Sequence, residues 1–454
     1  MRASAAAEAA SVPSVSLVCS GFVRQGVATG QGVGYDSLAL GVLHGHVDTQ
    51  SLDEMISHLR DATIDQIVAG LTIAPTLDSA SAQEPTALET TARGSISEIN
   101  AHFLANGWSD GLPIIPPTRE QVVAFLGPLA DNHGRVLGSA RPSGREITLW
   151  SIAVNAVMTG CDPRHRPLLI AMAEIIADPA YGVEHSGNTT GADALVIVNG
   201  RSSADLGFNA GPGALREGAH ANTSVGRWLR LYLRNVCGFT AEEHDKATFG
   251  NSTRVVLAED EQALNEIGWD PVSAEFGFAR GDNVVSLARM NSGLIIGGAF
   301  GATAEALVPY LADGLVRVSG WDLAHIYGLG QGHYRPLLIL SPLLARTIAR
   351  SGWSKDDLKQ ALFDQARLPA LKFEQLIGDW TNINAGRRSL FELAAAGLVP
   401  PVFGESEDPN RLVPIVTAAS KFVVAVAGDP NRNSAYVMSN DGPHGDWTAK
   451  SFDR

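Results

Sequence analysis

Polar side chains crowd a loop that precedes ALVIVNG, a short apolar run typical of a buried strand. The loop reads HSGNTT and contains His185, Asn188, Thr189 and Thr190. An imidazole can move a proton, and amide and hydroxyl groups can hold an oxygen on which charge develops. We therefore predict that His185 is catalytic and that Asn188, Thr189 and Thr190 bind a carboxylate or a polarised carbonyl.

A glycine-rich turn, GFNAGPGAL, follows the strand and contains Asn209, Gly211 and Gly213. Successive backbone amides in such a turn form concave anion sites, and glycine lets a ligand approach closely. The turn matches neither GxGxxG nor the Walker pattern, so we do not predict nucleotide binding. We predict that Asn209, Gly211 and Gly213 bind substrate, although glycine turns are also common in loops without a ligand.

The next segment, HANTSVGRWLRLYLRNVCG, is predicted to be helical, with Arg227, Arg230 and Arg234 spaced to share one face. Such a stripe is commonly a solvated face or a row of ion pairs. The alternative is that Arg227 holds an oxyanion or a carboxylate of the substrate. Both interpretations stay open at the level of sequence.

A second motif, NGWSDGLPIIPPT, joins a flexible turn to a stiff proline-rich strap. Trp108, Ser109 and Asp110 are thereby presented at a defined place. We predict that Asp110 is catalytic, that Trp108 and Ser109 contact substrate, and that the strap holds Asp110 toward a cleft. The alternative is a loop leading into a domain, with Trp108 as a packing anchor.

Thiols and imidazoles give a third set of candidates. Cys161 lies near the start of a predicted helix, where a thiolate is favoured, although lone cysteines are commonly buried. We predict that Cys161 is catalytic and accessible from the same cleft as Asn188, Thr189 and Thr190. Cys19 and His44 end predicted strands, and strand ends of α/β sheets face ligand crevices, so we predict that both are catalytic. No convincing third ligand accompanies His44 and His46, so we predict no metal.

Composition limits the class of protein. The chain has 454 residues, of which 45% are hydrophobic, and a formal net charge of -14. This acidic balance argues against nucleic acid and anionic membranes as partners, and no apolar run could cross a bilayer. Three cysteines without a CxxC pair favour a reducing cytoplasm. Residues 1–14 lack an apolar signal core and are predicted to form a disordered tail.

Periodicity predicts a mixed α/β (α+β) fold. Residues 15–73 show the order strand, helix, strand, helix, half of a doubly wound sheet, and Ser51 with Glu54 predicts a capping box. Two strands need further strands to be stable. Residues 74–94 are predicted to be a linker, and residues 95–454 one large α+β domain of catalytic type.

Several of these motifs together resemble the UGSC-type (seleno)protein family. NGWSDGLPIIPPT, AVNAVMTGCDP, GNTTGADALVIVNG, NAGPG and GRWLRLYLRNVCG are similar to its large domain, as are SGWSKDDLKQAL and VVAVAGDPNRNSAY. VSLVCSGFVRQG and LALGVLHGH resemble the second half of the family's α/β domain, with Cys19 and His44 at matching positions. The family's Sec/Cys-Gly-Ser-Cys motif and first half-domain are absent from the chain.

The resemblance implies thiol-dependent redox chemistry on a small carbonyl- or carboxylate-bearing substrate, with a site at the junction of the two domains. No cofactor is indicated. One alternative is a lyase or hydrolase without a redox thiol. Another is a non-catalytic large subunit that associates with a small motif-bearing protein. Because the N-terminal sheet is incomplete, we expect a separate short chain to complete it, or self-association through the same edge.

Overall fold

The computed structural model describes residues 1–47, 49–77, 88–241, 243–250, 256–327, 334–380, 388–441 and 446–453. Helices and strands are mixed along the chain, which confirms the predicted α+β class. The chain divides into two compact units. The first unit comprises Met1–Pro163, Gly187–Thr189 and Arg227–Thr248, and the second comprises Arg164–Ser186, Thr190–Gly226 and Phe249–Arg454.

The elements of the first unit follow one another in short segments. They are α1 (Arg2–Ala9), β1 (Ser16–Cys19), α2 (Val23–Gln31), β2 (Tyr35–Ser37), β3 (Leu40–Leu43), α3 (Leu52–His58), α4 (Ile64–Thr72), β4 (Thr76–Leu77), α5 (Ile96–Ala105), α6 (Arg119–Leu126), β5 (Val136–Ser139), β6 (Glu146–Thr148) and α7 (Leu149–Thr159). A later helix, numbered α10 in chain order (His220–Asn235), contributes its second half to this unit.

The predicted order strand, helix, strand, helix is confirmed in the N-terminal segment. β1 and β3 pair in parallel, with Ser16 opposite Leu40 and Cys19 opposite Leu43. α2 connects the two strands, as a parallel crossover requires. In the part of the chain that the structure describes, no third strand joins this sheet.

The helices after β3 begin where the sequence predicts. Ser51 and Glu54 form the capping box of α3, each side chain bonding the other's backbone amide. A π-helical turn at Leu59–Thr63 separates α3 from α4. α4 approaches β3 closely, because a Cβ placed at Gly70 would lie 2.7 Å from the Cβ of Ala39. Glycine at position 70 therefore permits this packing.

Two boundaries differ from the sequence-based prediction. The predicted disordered tail forms α1, since its alanine-rich sequence favours a helix and the Tyr35 hydroxyl donates a hydrogen bond of 3.4 Å to the Ala5 carbonyl. The predicted linker begins with β4, which pairs antiparallel with β2. Residues 78–87 of that linker lie outside the described residues.

The second unit is built around the main sheet. Its elements are α8 (Arg166–Ala177), β7 (Asp193–Asn199), α9 (Ser202–Asp205), the first half of α10, β8 (Val256–Ala258), α11 (Glu261–Ile267), β9 (Val284–Ile296), α12 (Ala304–Val318), β10 (Leu337–Leu340), α13 (Pro342–Arg350), α14 (Lys355–Gln365), β11 (Arg367–Pro369), α15 (Ala370–Glu374), α16 (Leu390–Ala395), β12 (Leu412–Pro414), β13 (Val423–Val426), β14 (Ala435–Asn440) and β15 (Thr448–Ser451).

The main sheet has the strand order β13, β10, β14, β9, β7, β8, with β15 also paired to β9. The pairs β10–β13 and β7–β8 are parallel and the others antiparallel. Side chains alternate between the faces: Leu337 and Ile339 of β10 belong to one apolar cluster, and Leu338 and Leu340 to another. Both faces of this strand are therefore buried.

A β-bulge interrupts the pairing of β9 with β14. Ser439 lies opposite Ser292, and the next residue, Asn440, lies opposite Met290. Asn291 is therefore the residue inserted into β9 between the two residues that lie opposite Ser439 and Asn440. A bulge bends its strand and re-aims the side chain of the inserted residue.

The units divide the predicted large domain. Residues 96–163 belong with Arg227–Thr248 rather than with the main sheet. A shared apolar layer explains this, because the buried Trp228 indole donates a hydrogen bond of 3.1 Å to the Ile152 carbonyl and stacks on Tyr232. No described helix combines the length and apolar character that crossing a membrane requires.

Candidate active site

The strap motif is fixed by one arginine of α10. Arg227 donates two hydrogen bonds of 2.9 Å to the carboxylate of Asp110, and further ones to the carbonyls of Leu112 (3.3 Å) and Pro113 (2.8 Å). Burial opposes ionisation of Asp110, but the hydrogen bonds and charge of Arg227 outweigh it and lower the pKa of Asp110. The guanidinium thus binds a carboxylate of its own chain, as the ion-pair interpretation predicts, and binding of a substrate by Arg227 stays a prediction.

The rest of the strap is held from the same helix. Arg234 donates a 2.6 Å hydrogen bond to the Gly107 carbonyl, and Asn235 donates one of 3.1 Å to the Trp108 carbonyl. Trp108 packs edge-on against Phe103. The buried Ser109 hydroxyl donates to the Leu112 carbonyl at 2.7 Å. These contacts favour the anchoring interpretation of the motif, and the cleft at Asp110 stays a prediction.

The cysteines occupy different environments. Cys161 is only 7% exposed, and its sulfur lies 3.4 Å from the Thr159 hydroxyl, which disagrees with the expected accessibility. The cause is local, because Gly160 ends α7 in a left-handed conformation and the chain turns Cys161 back onto the helix, its amide bonding the Ala156 carbonyl. Cys237 is buried, and burial raises the pKa of its thiol well above the usual range.

Cys19 and His44 lie, as predicted, at the carboxyl ends of the parallel strands β1 and β3. Cys19 is half-buried and borders a shallow groove of about 470 Å³ beside α2. The ring of His44 packs edge-on against that of His58, with 5.1 Å between centroids. No described hydrogen bond or ring contact joins Cys19 to His44.

The glycine turn is organised by Asn209. Its side-chain oxygen accepts from the Gly211 amide at 3.0 Å, and its side-chain nitrogen donates to the Pro212 carbonyl at 3.0 Å. Gly213 adopts a positive φ of 80°. The Gly211 amide is thus already satisfied within the turn, and binding of substrate by Asn209, Gly211 and Gly213 stays a prediction.

The HSGNTT loop is divided between the units. His185 ends a short 3₁₀ turn in the second unit, whereas Asn188 and Thr189 belong to the first. The Thr189 carbonyl accepts from the Thr248 amide at 3.1 Å. Thr190 belongs to the second unit, and its hydroxyl donates a 3.3 Å hydrogen bond to the side-chain oxygen of Asn291, the bulge residue. This contact links the predicted loop to a polar cluster that sequence analysis missed.

Asp322 is the centre of this cluster. It is 3% exposed, and one of its carboxyl oxygens accepts a hydrogen bond from the side-chain nitrogen of Asn291. Burial raises the pKa of Asp322 to about 7, against the hydrogen bond from Asn291, and the negative charge of Asp441 raises it further. Asp322 therefore exchanges its proton near neutral pH, which suits a general acid or base.

A second buried carboxylate lies nearby. Asp441, immediately after β14, forms a 3.3 Å ion pair with Arg289 of β9, and both side chains are almost fully buried. Arg289 also donates to the carbonyls of Tyr181 (2.6 Å) and Gly182 (2.9 Å). These bonds hold the segment leading into the HSGNTT loop against the sheet.

Hydroxyl groups complete the cluster. Tyr334 is buried and shares a 2.6 Å hydrogen bond with Ser319, and burial together with the charge of Asp322 raises the pKa of its phenol. Ser292 and Ser439 face each other across the bulge at 3.0 Å. The buried cluster thus contains a carboxyl group whose pKa lies near 7, a carboxylate that is paired with an arginine, and several hydroxyl groups.

Sequence analysis missed Asp322, Asp441 and Asn291 because they stand in WDLAH, SNDG and RMNSG, which carry no recognisable motif. A signal was available in part: a polar residue, Asn291, interrupts the long apolar pattern of β9. Within the described part of the chain, no group of three or more His, Cys, Asp or Glu side chains could hold a metal ion.

Comparisons with known proteins give no relative for this arrangement. No family model matches the chain, and no curated protein or solved structure matches it either. The resemblance to the UGSC-type family therefore stays a prediction.

The strap contacts yield a first prediction. Arg227→Met removes four hydrogen bonds and leaves Asp110 without its cation, so we expect a loss of about 2 kcal/mol in the free energy of unfolding. Urea unfolding measures it. The matched control is Arg119→Met, an exposed arginine at the start of α6. Equal stability of the two variants would show that Arg227 does not pin the strap.

Burial of Asp322 yields a second prediction. Its pKa is raised from 3.8 in the unfolded chain to about 7, so its contribution to stability is full below about pH 3.8, falls as the pH rises from there to about 7, and is lost above that. Asp322→Asn removes this loss. We expect the unfolding free energy of the variant, relative to wild type, to rise by on the order of 2 to 3 kcal/mol between about pH 5 and about pH 8.

Chemical unfolding at the two pH values checks this second prediction. Asp313→Asn is the control, because Asp313 is exposed and forms only an ion pair within α12. We expect no comparable change for the control. A constant difference between wild type and Asp322→Asn would contradict the prediction.

Proposed function

We propose that the protein is an enzyme that uses Asp322 as a general acid or base on a small carbonyl-bearing substrate, in a lyase or hydrolase reaction. The main support for this proposal is that Asp322 lies in a buried cluster with Asn291 and Asp441. A pKa near 7 gives both protonation states at neutral pH, the condition under which proton transfer is most effective.

A thiol-dependent reductase is the alternative reaction, and it has weaker support. Cys161 and Cys237 are buried, and the thiol of Cys237 has a raised pKa. Cys19 is the remaining candidate, since it borders a groove at a strand end. The three cysteines are free, which agrees with the proposed location in a reducing cytoplasm.

The charges of the cluster favour a neutral carbonyl compound over a carboxylate. Among the described residues of the cluster, the guanidinium of Arg289 is engaged by Asp441 and is not available to neutralise an anionic substrate. Ionisation of Asp322 would add a further negative charge to the cluster. A carboxylate of the substrate would therefore be repelled, whereas a carbonyl oxygen can accept a proton or a hydrogen bond.

Each state of Asp322 has a distinct role in this reaction. The neutral acid protonates the carbonyl or leaving-group oxygen, and the carboxylate removes a proton from carbon or water. Arg289 keeps Asp441 in place as a fixed carboxylate, which favours the neutral form of Asp322. Thr190 is exposed and Asn291 half-buried, so hydrogen bonds lead from the protein surface through these two residues to Asp322.

A screen of small aldehydes, ketones, hydroxy ketones and esters tests the proposed function. On any substrate that is turned over, we expect Asp322→Asn to lower kcat about 100-fold or more, because proton transfer is lost. Cys19→Ser is expected to keep wild-type activity. If Cys19→Ser loses turnover and Asp322→Asn retains it, the acid–base proposal is contradicted and the thiol-dependent reaction is supported.

We also propose that a strand of a separate short chain joins the N-terminal sheet beside β1. The outer edge of β3 is covered, because the Val42 amide donates to Gln66 at 2.7 Å and the Val42 carbonyl accepts from Thr63 at 2.9 Å. On β1, Leu17 is 60% exposed, and no described hydrogen bond reaches its backbone from outside the sheet. An open, apolar strand edge favours pairing with another strand.

Light scattering and amide hydrogen exchange on the purified chain test this partnership. We expect a monomer whose β1 amides exchange rapidly, and protection of these amides when the candidate short chain is added. Leu17→Lys should abolish the protection, since a charge at an edge blocks pairing. Dimerisation through β1 would support self-association in place of a separate short chain. Slow exchange of the β1 amides in the monomer would contradict both pairing with a short chain and self-association.

A further inference from the structure

Asn291 stands between an exposed hydroxyl and a buried carboxyl group. Its side-chain oxygen accepts from the Thr190 hydroxyl at 3.3 Å, and its side-chain nitrogen donates to Asp322. A single orientation of the carboxamide satisfies both contacts. The flipped orientation would place the amide oxygen against the carboxylate, and the amide nitrogen would then donate to the Thr190 hydroxyl instead of to Asp322.

The bulge makes this double contact possible. Successive side chains of a regular strand point to opposite faces of the sheet. Because Asn291 is inserted between Met290 and Ser292, its side chain does not have to follow this alternation. Without the insertion, the residue at this position would face a partner on β14. The bulge thereby directs a polar side chain of the central strand toward Asp322.

We propose that Thr190 and Asn291 are positioning residues, which orient the Asp322 carboxyl group and hold it as a proton acceptor. This role rests on the proposed function of Asp322. Asn291 presents an N–H group to the carboxylate, and the Thr190 hydroxyl restrains the amide through a hydrogen bond to its oxygen. The HSGNTT loop thus acts on the reaction through Asn291, without a contact between Thr190 and the reacting atoms.

Other charged and titratable groups also face Asp322. Among the described residues these are Asp441, from the end of β14, and Tyr334, whose pKa the charge of Asp322 raises; Arg289 stands behind Asp441 as its ion-pair partner. Burial and Asp441 favour the neutral acid, whereas the bond from Asn291 favours the carboxylate. Weakening that bond alone should therefore shift titration of Asp322 upward.

Infrared titration of Thr190→Val and Thr190→Ser tests the proposal without any substrate. The carboxylic acid band of Asp322 is identified by its absence in Asp322→Asn. Valine removes the hydroxyl at nearly constant shape, and serine keeps it. We expect the titration midpoint to rise by about 0.5 to 1 pH unit in Thr190→Val and to stay unchanged in Thr190→Ser. Asn291→Ala should raise the midpoint at least as far.

Equal midpoints in wild type, Thr190→Val and Asn291→Ala would overturn the proposal. So would the absence of any carboxyl band that titrates near neutral pH and disappears in Asp322→Asn. Turnover is a separate readout. If the midpoint rises as expected but no carbonyl substrate is consumed by wild type, the positioning of Asp322 stands and the proposed reaction fails.

Discussion

The removal of the Asp322 carboxyl group from water is the constraint on which the candidate site depends. A buried carboxylate is costly unless hydrogen bonds and opposite charge compensate it. Around Asp322 the compensation is partial: Asn291 donates to it, but Arg289 is paired with Asp441, whose negative charge opposes ionisation of Asp322. The outcome is a carboxyl group balanced between its two protonation states near neutral pH.

At Asp110, in contrast, the interactions that stabilise the ionised carboxylate outweigh the cost of burial. Its carboxylate is a quarter exposed and receives two hydrogen bonds from Arg227, so its pKa is lowered. An ionised, arginine-bound carboxylate is a good structural tie and a poor proton donor. The comparison explains why the strap motif, although conspicuous in the sequence, is better suited to holding α10 than to acid–base chemistry.

Local patterns in the sequence predicted local structure well. The capping box at Ser51, the parallel pair β1–β3 and the turn stabilised by Asn209 depend on residues close together in the chain. Asp322 and Asp441 are more than a hundred residues apart: Asp441 follows β14, whereas Asp322 lies in the segment after α12, so their proximity is a long-range pairing of residues. No short motif encodes that pairing, so sequence analysis chose Asp110 and Cys161 instead.

The most direct test of the account is the titration of the aspartate carboxyl groups by carbon NMR, with ¹³C-labelled aspartate in the intact chain. We expect one carboxyl resonance with a midpoint near pH 7, because burial raises the pKa of Asp322 to about 7, and we expect this resonance to disappear in Asp322→Asn. If every aspartate resonance titrates below about pH 5, as for ordinary exposed carboxyl groups, the central claim is contradicted.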